Sequence, residues 1–186
     1  MHPIIRDRWS PRALDPTAEV PTAALRAMLE AARWAPSYGN TQPSRYLVGV
    51  RGDKTYDRIL SVLLPGNHAW AHRAGALIVG CAVTANDKGE VPYAEYGLGL
   101  ATENLALQAV AEGLVAHQMA GFDPAKTSEV FELPEQVRPL VVIAVGVLGS
   151  PELLPEEKRA RETAERQRVP LSETALSEWG TAAFPD

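Results

Sequence analysis

Residues 76–83 read ALIVGCAV and residues 140–148 read LVVIAVGVL, two runs of strand length with no polar residue in either. A strand with one wet face alternates apolar and polar side chains, so an unbroken apolar run needs cover on both faces. Neither run approaches the roughly 18 apolar residues that would span a bilayer. The chain must therefore surround at least two buried strands with other elements.

Helical periodicity supplies the cover. Leu25, Met28, Leu29 and Ala32 recur at three-to-four-residue spacing, which predicts an amphipathic helix with Thr22 as its N-cap and Pro36 as its stop. RYLVGV (45–50) reads as a strand. A helix from Asp53 to Leu64 carries Tyr56, Ile59, Leu60 and Leu63 on one face, with Pro65 and Gly66 ending it. A short helix over 67–73 follows, and TANDKGE (84–90) reads as a turn-rich loop. Residues 92–112 are strong helix formers, apolar nearly all round, which predicts a central helix buried by several neighbours, with Gly113 its C-cap. LVAHQM (114–119) reads as a short strand and DPAKTSEVF (123–131) as a helix capped by Asp123. Helices and strands mix without regular alternation, which favours an α+β layered fold over a doubly wound sheet.

The 186 residues suit one domain spanning 1–186, in which the charge-rich segment 151–186 is a C-terminal arm. A net charge of -5 argues against a broad nucleic-acid surface. No membrane span is expected, and the first ten residues lack the apolar core of a signal peptide, which points to the cytoplasm.

GLGLATENL (97–105) lacks the third glycine of a dinucleotide fingerprint and lies in a helical pattern; its glycines suit close approach of a backbone or a flat ligand. Cys81, alone in an apolar run, reads as a small hydrophobe. The histidines at 2, 68, 72 and 117 have no partners at metal-ligand spacing, so no metal is expected, and no serine-nucleophile motif is present. Arg8, Ser10 and Arg12 offer two cations and a hydroxyl to a phosphate or an electron-rich ring edge; alone, they also fit a solvated face. Arg166 and Arg168 alternate, so in an extended segment both project to one side.

Taken in order, RDRWSPRAL, APSYGNTQPSRYLV, EGLVAHQMAGFD and RQRVPL resemble the FMN-dependent nitroreductase family over nearly the whole chain. The second motif is the most specific. The resemblance implies a three-layer α+β fold with a mixed sheet flanked by helices. It also implies a homodimer whose central helix is buried between subunits, whose C-terminal arm wraps the partner, and whose two FMN sites are shared.

By the same resemblance, Arg8, Trp9 and Ser10 fall where the flavin phosphate and ribityl chain bind, and Arg12 where a cation faces the pyrimidine edge. Arg166 and Arg168 match a phosphate-binding pair in the tail. Pro36, Ser37, Asn40 and Gln42 match a loop that reaches the partner's flavin, and Asn67 a pyrimidine contact. Met119, Ala120 and Gly121 match the segment passing the flavin N5. No residue is expected to act as a nucleophile, because the hydride passes through N5. Tyr93, Tyr96 and Phe122 are candidates for the open flavin face, or equally for core or interface packing.

The implied activity is reduction of nitroaromatic, quinone or similar acceptors by NADH or NADPH in a ping-pong cycle. Some positions depart from the pattern. Trp9 replaces a common basic residue, Trp70 a flavin-contacting lysine, Ser44 an aromatic, and Ala120 a Glu or Gly. Those departures motivate two alternatives: a flavin-binding sensor or storage protein with little turnover, or a specialised flavin-fragmenting or dehalogenating member of the same fold.

Overall fold

In the computed structural model, which describes residues 1–184, the two apolar runs lie side by side as central strands. In chain order the elements are α1 (Pro3–Asp7), α2 (Thr22–Arg33), β1 (Ser44–Val50), α3 (Lys54–Ser61), α4 (Pro65–Ala71), β2 (Ala76–Val83), β3 (Ala85–Asn86) and β4 (Gly89–Glu90). They continue as α5 (Ala94–Ala111), β5 (Val115–Met119), α6 (Pro124–Phe131), β6 (Val137–Gly146), α7 (Glu156–Glu162), α8 (Leu171–Thr174), β7 (Leu176–Glu178) and β8 (Thr181–Ala182).

The main sheet has the order β1-β2-β6-β5. Ile78 lies opposite Val48 on one side and Ile143 on the other. Alternation then sorts the apolar runs onto two faces. Ala76, Ile78, Ile143 and Val145 pack with Leu25 and Met28 of α2 and Leu105 and Ala109 of α5. Leu77, Val79, Cys81, Val142 and Ala144 face Tyr56 and Ile59 of α3 and Trp70 of α4. Each buried Leu, Ile or Val contributes about 1.5–3 kcal/mol of transfer free energy, so the two runs anchor both helical layers. Gly49 sets how closely α3 crosses β1: a Cβ there would lie 2.3 Å from the Tyr56 amide nitrogen.

The three-layer α+β class is the one implied by the sequence. The sheet itself is antiparallel at every pairing among the described residues, where a mixed sheet was implied. One cause is visible between β1 and β2. Two helices, α3 and α4, return the chain to the sheet edge it left, so Val50 pairs with Ala76.

Several boundaries also moved. Pro21, not Thr22, is the N-cap of α2, and no side chain caps that end. Helix α3 stops at Ser61 because the next residues are bonded elsewhere. Leu64 N–H donates to the Gly121 carbonyl at 3.1 Å, and Asp123 N–H donates to the Val62 carbonyl at 2.9 Å. Pro65, expected to end a helix, opens α4, where its missing N–H costs nothing. TANDKGE forms the β3–β4 hairpin.

The arm differs most. Leu154 is buried with Leu14 and Trp70, and Glu162 is 7% exposed, so residues 151–162 cover their own domain. Beyond them Val169, Leu171 and Trp179 are exposed.

Asp123 caps α6 as expected, its Oδ1 accepting the Lys126 N–H at 2.9 Å. Asp123→Ala is expected to lower stability by about 1 kcal/mol in denaturant unfolding, with Asp123→Asn recovering most of it. An Ala variant as stable as wild type would remove the cap from the account.

Candidate functional site

The segment after α1 is pinned beside the end of β6. Leu14 bridges Leu148, Asp15 N–H donates to the Val147 carbonyl at 3.0 Å, and Gly149 N–H donates to the Ala13 carbonyl at 2.8 Å. His117 on β5 bonds the Pro11 carbonyl through Nδ1 at 2.9 Å, which places the proton on that nitrogen because a carbonyl only accepts. Arg8, Ser10 and Arg12 are thereby fixed in one stretch. Arg8 Nη1 donates to Ser10 Oγ at 3.4 Å, and its Nε lies 3.7 Å from Glu103 Oε1 on α5.

The tail joins this segment. Arg166 donates to the carbonyls of Arg8 at 2.8 Å and Arg6 at 2.6 Å, so its guanidinium clamps the segment through backbone. Arg168 is exposed and, among the described residues, donates to the neighbouring Gln167 carbonyl. Trp9 shares a cavity of about 300 Å³ with Asp7, Glu162, Ala164 and Arg166.

A second group forms where α4 meets the end of β5. Asn67 Nδ2 donates to the Gly121 carbonyl at 3.0 Å, and a Cβ on Gly121 would lie 2.5 Å from that nitrogen. Only glycine permits the contact without displacing the amide. The Ala120 carbonyl accepts the Phe122 N–H at 3.0 Å, while the Ala120 and Gly121 N–H groups have no partner among the described residues. Arg12, Gly66, Asn67, Lys158 and Arg161 line one cavity of about 240 Å³ here. Cations, an amide and two open backbone donors suit a phosphate-bearing flat ring with acceptor atoms along its edge, so the residues present fit FMN.

The loop after α2 forms a third group. Asn40 and Gln42 hold left-handed backbone, φ 55° and 48°, which side chains other than glycine rarely adopt. Ser37 Oγ accepts the Gln42 N–H at 2.9 Å and stabilises that turn. Pro36, Ser37 and Gln42 line a cavity of about 420 Å³ with Arg33, Arg45, Tyr46 and Gly97, separate from the cavity at Asn67. Tyr38 and Tyr93 pack beside the loop with ring centroids 5.4 Å apart and planes tilted by 52°.

Tyr93 and Tyr96 are each 68% exposed, which suits a ligand face or a subunit contact alike. Phe122 is not a pocket wall. It is 5% exposed and packs in the core, because its pairing with Leu63 turns it under α4. Met119 is also a core side chain, so its segment offers backbone only. Trp70 lies beneath the site, its ring 4.6 Å from that of His117. Burial pushes the Cys81 thiol up to about 11, as befits a structural cysteine.

Sequence reasoning did not single out Lys158 or Glu162, and read Arg161 as one of a cluster of tail arginines open to an anion. Their signal was the spacing in EEKRARE (156–162), where residues three and four apart share a helix face. No helix among the described residues is long and apolar enough to cross a membrane.

A family model described as the nitroreductase family matches residues 5–67 and 60–147. An uncharacterized 15.4 kDa protein of Mycolicibacterium smegmatis is 37% identical over 145 residues, covering 73% of this chain and 97% of that protein. A Streptomyces coelicolor protein, provisionally named an NADH dehydrogenase/NAD(P)H nitroreductase, is 32% identical over 154 residues, 71% of this chain and 75% of that protein. The crystal structure of an oxidoreductase containing FMN superimposes with a TM-score of 0.89 at 31% identity, covering 95% of this chain and 91% of the other. A Desulfovibrio desulfuricans protein, provisionally named a nitroreductase and crystallised with FMN, gives 0.77 at 25% identity, covering 100% and 99%.

Proposed function

The chain belongs to the nitroreductase family, and on that footing we propose that it is a homodimeric FMN oxidoreductase reducing nitroaromatic, quinone or similar acceptors with NADH or NADPH. The observation that carries the reading is the group at Asn67: an amide held by Gly121, Arg12 beside it, and the open N–H groups of Ala120 and Gly121. FMN, when bound, supplies the hydride acceptor and donor of both half-reactions.

The chain's own residues bind and orient it. Arg8, Ser10 and Arg168 meet the phosphate, with Arg166 clamping the segment that carries Arg8. Arg12 and Asn67 would hold the pyrimidine edge, and the 120–121 amides would be the donors available to the central ring. Small residues at 120 and 121 leave one face open to the two substrates in turn. The loop bearing Asn40 and Gln42, with Tyr93 and Tyr96, belongs to the partner's site in this reading, which accounts for its separate cavity. The apolar cavity along α1 and α5, lined by Ile4, Ile5, Ala31 and Leu107, supports a subunit contact there. A cytoplasmic setting, where NADH and NADPH are supplied, goes with this reading.

The test is the visible spectrum of purified protein before and after NADPH, with mass from light scattering. A yellow dimer that bleaches, then recovers its colour on adding a quinone, is expected. A colourless chain that takes up no FMN would overturn the reading, and slow bleaching without turnover would favour a flavin store. Arg168→Ala is expected to weaken FMN binding about 10- to 100-fold, since a charge-assisted hydrogen bond contributes about 1.5–3 kcal/mol. Riboflavin, lacking the phosphate, should bind both forms alike. Unchanged FMN affinity on fluorescence titration would remove Arg168 from the site.

A further inference from the structure

Three of the five residues lining the Asn67 cavity are cationic, and two of them come from α7. Their position is fixed by bonds at both ends of that helix. Glu162 Oε1 accepts the backbone N–H groups of Arg12 at 2.6 Å and Ala13 at 2.8 Å, and Lys158 Nζ donates to the Gly66 carbonyl at 3.1 Å. Lys158 and Arg161, three residues apart, share the helix face at the cavity.

The guanidinium groups of Arg12 and Arg161 have no hydrogen-bond or ion-pair partner among the described residues. Like charges around one small cavity repel each other, and an electron-rich ligand relieves that repulsion. The Asn67 amide, donating through Nδ2 to Gly121, keeps its oxygen as an acceptor. An acceptor flanked by cations matches a ring edge in which an N–H adjoins a carbonyl and an imine nitrogen. Trp70, at the position of the implied lysine, is buried against His117 and adds no cation.

Resting on the function proposed above, we propose that Arg161 is a flavin-binding residue, a second guanidinium beside Arg12 at the pyrimidine edge, with Lys158 reinforcing its charge. Helix α7 of the same chain thus supplies what the α4 position lacks. Its charge stabilises the negative charge that collects on that edge upon reduction.

The test uses Arg161→Gln holoprotein and readouts that require no turnover: the midpoint potential of bound FMN, the affinity of the oxidised protein for sulfite, and dissociation constants for FMN and riboflavin. Sulfite adds to oxidised flavin and leaves negative charge on the same edge. Loss of one charge-assisted contact should weaken sulfite binding about tenfold and lower the two-electron potential by about 30 mV. FMN and riboflavin should lose affinity equally, and Arg161→Lys should retain most of wild-type behaviour. If sulfite binding and potential are unchanged in Arg161→Gln and in the double variant with Lys158→Gln, the inference falls and the proposed function stands. A loss seen with FMN and not with riboflavin would make Arg161 a phosphate contact and also overturn it. A wild-type chain that takes up neither flavin overturns both.

Discussion

Glu162→Ala is expected to lower the unfolding free energy by about 3–4 kcal/mol, one of the two largest effects anticipated from a single group in this chain. One oxygen of this buried side chain accepts two backbone N–H groups, from Arg12 and Ala13. Removing it strands both donors where water has little access, and each hydrogen bond to a charged group contributes about 1.5–3 kcal/mol. The loss also unpins α7, so amide exchange at Arg12 and Ala13 should rise and FMN affinity should fall with stability. Glu162→Gln keeps an acceptor oxygen and should recover most of the loss. Unchanged exchange at Arg12 and Ala13 in the Ala variant would show that α7 is held by other contacts, Leu154 foremost.

That residue also marks the limit of what local sequence pattern conveys. The strands were legible because a continuous apolar run has one consistent solution, burial on both faces, and Ile78 and Ile143 meet it as neighbours. Helix α6 was legible because a cap is a contact within four residues. The end of α3 was not, since it is decided by bonds from 62–64 to 121–123, far along the chain. Nothing local marks Glu162 as buried, because acidic residues are usually solvated and its two donors lie near the opposite terminus. Of the candidate site, the motif resemblance supplied Asn67 and the 119–121 segment, which the structure brings together. For Phe122, which suited either the ligand side or the core, the pairing with Leu63 decides for the core. Gln42 at positive φ carries no local signal, because its turn depends on Ser37 accepting its N–H.

The remaining large effect is one of pH, and it arises beneath the site. His117 is 7% exposed, and its titration is depressed from 6.5 to about 4. Burial is the main cause; the nearby Arg12 and Arg8 charges add to it, and backbone hydrogen bonding at Pro11 and Ser10 partly opposes it. An unfolded chain therefore binds more protons at this residue throughout the interval from 6.5 to 4. Stability is full above 6.5, falls as pH drops below it, and levels off below 4 as far as this group is concerned. Linkage puts the loss at roughly 2–3 kcal/mol by pH 4.5, where glutamates have also begun to titrate, so the comparison with a non-titrating variant is what isolates this group. Because the imidazole holds the carbonyl between Ser10 and Arg12, loss of FMN should accompany the fall in stability. His117→Asn keeps an N–H donor without a titrating ring, and its unfolding free energy should be nearly flat over the same window. Both proteins are to be compared at one concentration, since association adds its own dependence. Parallel curves for the two would show that the acid sensitivity of this fold resides elsewhere.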